Sequence, residues 1–144
     1  MDILTAMKIS GSALKAERAR LNVTAMNMAN ANTTRTIEGG PYRAKSVIFA
    51  ATPLEKSFQD RLQSSHERLR QVEVTKVVED KTPFREVYDP SHPDADANGI
   101  VKLPNVNIVE QTVDMMNARR AYDANVTALT AAKSMALKAL DISR

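Results

Sequence analysis

The chain has 144 residues, 43% of them apolar, with a net charge of +3 and no cysteine. That length holds one ordinary domain, or a small one with helical extensions. The missing thiols exclude disulfides, thiolate catalysis and Cys-ligated metals, and 20 basic residues interspersed with 17 acidic ones are too small a surplus to demand nucleic acid.

Asp2 can cap a helix running to about Asn30. Along it Leu4, Met7, Gly11, Leu14, Arg18, Leu21, Ala25 and Met28 step by threes and fours, the spacing of a narrow helix–helix seam. Asn30-Ala31-Asn32-Thr33-Thr34 ends the helix with side chains that bond their own backbone, and Glu38-Gly39-Gly40-Pro41 turns the chain. Tyr42 to Ala50 is extended, offering Val47, Ile48 and Phe49 to a core. The polar stretch that begins at Pro53, with Leu54, Phe58, Leu62 and Leu69 at rough helical spacing, reads as a short helix or a mobile loop.

Gln71 to Val78 alternates as a half-exposed strand, and Phe84 to Tyr88 is a second candidate. Asp89-Pro90-Ser91-His92-Pro93 is irregular because of its prolines, Asn98-Gly99 signals a tight turn, and Ile100 to Leu103 makes a strand that Pro104 stops. Asn107, with Glu110 three residues on, has the spacing of a capping box. The helix it opens runs to about Ser143, with a stripe at Ile108, Thr112, Met115, Arg119, Tyr122, Val126, Leu129, Lys133, Ala136 and Leu140. The fold class is therefore mainly α with a small β-containing middle. Long N- and C-terminal helices pack as a coiled-coil-like pair, with short strands and loops between them. The boundaries are an N-terminal axial helix over 1–34, a central β-rich or irregular region over 35–106 and a C-terminal axial helix over 107–144, the two helices forming one core.

No catalytic or cofactor-binding group stands out. Asp94, Asp96, Asn98 and Gly99 imitate the start of a calcium loop, but the twelfth position is Asn105 and the ninth Lys102, so a Ca²⁺-binding helical module is the alternative reading only. The start of the chain lacks a basic segment followed by an apolar run, and no window approaches the ~20 apolar residues of a bilayer span. Composition alone reads as a soluble cytoplasmic protein. Each helical stripe needs the other, or a neighbouring subunit, for burial. The candidate interface is therefore Leu4, Met7, Leu14, Leu21, Met28, Asn30 and Asn32 on one side and Ile108, Met115, Tyr122, Asn125, Val126, Leu129 and Leu140 on the other. Buried amides among Asn27, Asn30, Asn32 and Asn125 would fix register, and Arg119 and Lys133, interrupting the stripe, would pair with a neighbour's acids.

Three segments carry a family resemblance. Met26-Asn27-Met28-Ala29-Asn30-Ala31-Asn32-Thr33, and Asn105 to Glu110 continuing to Arg120-Ala121-Tyr122-Asp123-Ala124-Asn125, are similar to the terminal signatures of the bacterial flagellar rod and hook axial proteins. Tyr88 to Asn107 resembles the segment that marks their proximal-rod branch. The resemblance implies a structural subunit without cofactor or catalysis, exported unfolded through the flagellar export gate without a cleaved signal. It implies polymerisation in the periplasm into a torque-carrying tube. The implied partners are further copies of the chain, the rod proteins FlgB, FlgF and FlgG, and the ring-to-rod adaptor FliE, with no nucleic acid and no stable membrane insertion. It also implies that a lone subunit leaves its stripes largely unburied and its ends loosely ordered.

Overall fold

Two long helices bracket four short strands in a computed structural model that describes residues 3–54 and 69–142. Helix α1 covers Ile3–Ala29 and helix α2 covers Ile108–Ile142; between them lie β1 (Lys45–Pro53), β2 (Arg70–Glu79), β3 (Arg85–Tyr88) and β4 (Ile100–Leu103). The strands form two separate antiparallel pairs, β1 with β2 and β3 with β4. The fold class agrees with the sequence reading. Residues 55–68, read above as a short helix or loop, lie outside the described residues. Leu54 N–H donates to Leu69 O at 3.1 Å on either side of them.

α1 packs chiefly along α2 and also against β1 and β2. The helices run antiparallel, since Asn27 of α1 meets Gln111 of α2 while Arg20 meets Asp114. At 1.5 Å per residue α2, with 35 residues, is roughly 52 Å long. Counted from the Asn27–Gln111 contact, it outruns the described part of α1 by roughly 10 Å. Asn107 opens it as expected, its side chain accepting from Val109 N–H at 3.1 Å. Among the described residues Glu110 returns no bond, so the capping box is half made.

The seam corrects the sequence reading by one position. The covered residues include one series on α1, Ile3, Met7, Ser10, Leu14, Glu17, Leu21, Thr24 and Met28, and one on α2, Gln111, Met115, Ala118, Tyr122, Asn125, Leu129, Ala132 and Ala136. Both follow a regular four-then-three alternation. Met7, Gly11, Leu14, Leu21, Met28, Met115, Tyr122, Leu129 and Ala136 are covered as expected. Leu4, Arg18 and Ala25 on α1, and Ile108, Thr112, Arg119, Val126, Lys133 and Leu140 on α2, are exposed instead. Size accounts for two of the α2 positions: Ala118 and Ala132 let the backbones approach, while Arg119 and Lys133, each one residue along, point away. The two helices are continuous over Ile3–Ala29 and Ile108–Ile142, and α1 accompanies α2 for most of its length.

The β1–β2 hairpin lies over the remaining face of α1, where Ser12 Oγ accepts from Val72 N–H at 3.2 Å. Its register shifts between Ile48, opposite Lys76, and Phe49, opposite Val74, leaving Thr75 as the extra residue of a bulge. The bulge resets the alternation. Lys45 and Val47 are covered before it and Phe49, Ala50 and Thr52 after it, while Ile48 is exposed against expectation. Asn98-Gly99 does not join two adjacent strands directly; it closes the long 89–99 loop. Gly99 has φ +76°, and a Cβ there would stand 3.0 Å from Tyr88 Cε2.

The one-position shift is testable. Ala118→Leu overpacks the seam and lowers stability by about 1–3 kcal/mol. Arg119→Ala, at the neighbouring exposed position, changes it by no more than about 0.5 kcal/mol. Denaturant unfolding compares the two, and equal effects would show that the seam is phased wrongly.

Candidate assembly interface

Asn27 stands where the end of α1, the start of β1 and the first turns of α2 meet. It is 1% exposed and is the largest side chain so deeply buried among the described residues. Its Nδ2 donates to Lys45 O at 2.7 Å and to Gln111 Oε1 at 2.9 Å. Its Oδ1 accepts from Tyr42 OH and from Lys45 N–H, both at 2.9 Å. Two donors and two acceptor sites are thus all used, the full capacity of a carboxamide.

Asn105 performs the matching task one residue away. Its Oδ1 accepts from Ala44 N–H at 2.8 Å, and its Nδ2 donates to Thr82 Oγ1 at 2.8 Å. The consecutive amides of Ala44 and Lys45 are therefore held by two asparagines, one from each end of the chain. Around them Thr34 Oγ1 donates to Asp94 Oδ2 at 2.7 Å, and Arg20 meets Asp114 at 3.3 Å across the helices. That ion pair is partly exposed and contributes no more than about 1 kcal/mol. The segments that carried the resemblance, though distant in sequence, form a single junction.

The other singled-out amides stay local. Asn30 Nδ2 donates to Met26 O and Asn125 Nδ2 to Ala121 O, each at 2.9 Å within its own helix, and Asn32 is exposed. Within the chain it is Asn27, not Asn125, whose amide bridges separate elements. Arg119 and Lys133 face outward rather than interrupting the seam.

The calcium reading finds no support. Asp96 Oδ1 accepts from Asn98 N–H at 2.8 Å and from Ile100 N–H at 2.9 Å, so its carboxylate is spent on the turn. Those two amides hold its pKa below the usual carboxylate range. Asp94 is bonded to Thr34, and among the described residues no three metal-ligating side chains cluster.

Outside the seam, α2 carries apolar side chains that the single chain leaves uncovered. Val109, Val113 and Met116 form one outward face near its start, with Val109 73% exposed. Leu137, Leu140 and Ile142 are exposed where α2 projects past α1, close to the exposed Leu4. No helix among the described residues is long and apolar enough to cross a membrane.

Asn27→Leu strands Lys45 N–H and Lys45 O and is expected to cost about 3 kcal/mol by denaturant unfolding, several times the cost of Asn125→Leu. Tyr42 supplies a pH signature. Burial, then the Glu79 carboxylate, raises its pKa above 10.0. The neutral phenol is thus favoured by folding, and its contribution is present below about pH 10 and lost as pH rises through the raised value. Tyr42→Phe should abolish this alkaline loss, measured as stability against pH; an unchanged slope would refute it.

Residues 7–35 match the family described as "Flagella basal body rod protein", and residues 97–142 match "Flagellar basal body rod FlgEFG protein C-terminal". Over its full length the chain is 41% identical to the whole flagellar basal-body rod protein FlgC of Salmonella typhimurium. It is 38% identical to that of Bacillus subtilis, again over all of both chains. With FlgC of Borreliella burgdorferi it shares 40% identity over 99% of this chain and 98% of the relative. These likenesses, which span the segments meeting at the asparagine junction, place the chain in the FlgC family of flagellar basal-body rod proteins, as a structural subunit of the rod and not an enzyme.

Proposed function

We propose that the chain occupies the proximal part of the rod, reached through the flagellar export gate without a cleaved signal, and polymerises there in the periplasm. Copies of the chain stack with the rod proteins FlgB, FlgF and FlgG and meet the adaptor FliE. The tube they form carries torque from the motor ring toward the hook. Residues 1–34 and 107–144 act as one helical core, with 35–106 as its outer attachment.

The observation that carries this reading is the second apolar face of α2. A helix whose seam is already occupied still exposes Val109, Val113 and Met116 on one side and Leu137 and Leu140 toward its end. Apolar surface gathered in this way marks interaction sites. Two such patches at opposite ends of a long helix suit repeated, non-closing contacts, which generate helical arrays. The candidate positions Leu4, Ile108, Val126 and Leu140 belong to this uncovered set, while Met7, Leu14, Leu21, Met28, Met115, Tyr122 and Leu129 serve the pair from within.

Val113→Asp separates assembly from folding. Because the side chain is half exposed, the variant should unfold within about 0.5 kcal/mol of the parent. It should nonetheless be secreted and fail to enter detergent-extracted basal bodies. Normal incorporation and motility would show that this face has no role in the rod.

A further inference from the structure

The loop between α1 and β1 holds one apolar side chain fully out in solvent. Thr36 N–H donates to Gly40 O at 2.9 Å, Gly39 N–H donates to Thr36 O at 3.1 Å, and Thr36 Oγ1 also donates to Gly40 O at 3.1 Å. Gly39 and Gly40 have φ +92° and +78°, which keeps the turn in a shape side-chain-bearing residues resist. At its tip Ile37 is entirely exposed. A single surface isoleucine is ordinary. One fixed in place by three hydrogen bonds is preorganised for a partner, because the ordering cost is already met within the fold.

On the other side of the 82–85 segment lies a groove of about 580 Å³, built from Ala31, Pro83, Pro104, Val106, Ile108 and Val109. Its rim carries Arg85, and Glu110 follows in the exposed first turn of α2. The loop tip carries the opposite charges, Arg35 and Glu38 flanking Ile37. Knob and groove are thus complementary in both polarity and charge sign, with Glu38 available to Arg85 and Arg35 to Glu110.

We propose that the Thr36–Gly40 loop seats Ile37 in the Ala31–Pro83–Val109 groove of a second copy of this chain. Knob and groove both sit at the α1-end, α2-start junction, so the contact joins copies side by side and not end to end. It is heterologous, one copy's knob in the next copy's groove, and therefore propagates. The inference rests on the rod-subunit reading and adds to it a lateral contact that uses the Val109 edge of the outward face near the start of α2.

The absence of native cysteine makes the test direct. Full-length chain carrying Ile37→Cys and Val109→Cys is incorporated into basal bodies, purified and oxidised. A ladder of cross-linked copies longer than two is expected. Variant present in basal bodies but running as monomer overturns the contact, and products that stop at the dimer do so as well, since they mean a closed reciprocal pair. Should the double-cysteine chain not be incorporated, charge exchange decides. Glu38→Arg should lower incorporation several-fold, and adding Arg85→Glu should restore it; a double variant no better than the single overturns the contact. Absence of the unsubstituted chain from basal bodies takes down the rod reading and this inference together, whereas its presence without cross-links sinks the loop contact alone.

Discussion

The carboxamide of Asn27 is the constraint on which the architecture depends. Two helices and a hairpin that share few large apolar side chains need some directional interaction to choose one arrangement. Hydrophobic burial is nondirectional, and here the fully buried apolar residues are mostly alanine. A carboxamide with all four hydrogen-bonding positions used accepts no sliding, because any shift of α1 against β1 or α2 leaves a buried polar group unpaired. Asn105 repeats the device on the adjacent amide, so the entry to β1 is gripped from both ends of the sequence.

A seam whose fully buried α2 positions are both alanines, and a single junction, make a thin structure. The alanines at 118 and 132 allow close approach but bury little area each, and Glu17 places a carboxylate oxygen, Oε2, in the covered stripe without a hydrogen-bond partner among the described residues. Such an orphan costs about 1–3 kcal/mol. The solitary pair is therefore ordered but not optimised. The larger apolar side chains that would ordinarily thicken its core, among them Val113, Met116 and Leu137, point the other way. In a subunit of a larger wall this distribution is economical, since register is fixed within the chain and the bulk of the apolar surface is kept for neighbours.

Much of this was legible in the sequence. Both helices, their ends to within a residue or so, the strands and the Asn107 cap follow from periodicity and from residues that bond their own backbone. The phase of the seam was not. Counting hydropathy favours Val126 over Asn125 and treats Ala118 as neutral, yet close helix packing selects Ala118 and turns Arg119 outward, and that choice carries the phase to Asn125. The bulge at Thr75 likewise follows from no local pattern, whereas the exposure of Ile48 between covered Val47 and Phe49 is plain strand alternation. Asn27 was visible as one amide among several. Only the arrival of Lys45 and Gln111 from distant segments distinguishes it from Asn30 and Asn125, whose amides simply return to the preceding turn.

The aspartate-rich loop shows how the same residue types can serve opposite ends. Asp, Asn and Gly at alternating positions suit a cation because their oxygens can converge on one point. In this chain the backbone supplies the positive ends first. The N–H groups of Asn98 and Ile100 converge on Asp96, and that of Ser91 on Asp89. A carboxylate already charge-assisted by two backbone donors has little to gain from releasing them. The loop is consequently a self-capped strut whose Asp94 reaches Thr34 at the end of α1, so the segment that most resembles a ligand site works as a brace for the junction that Asn27 anchors.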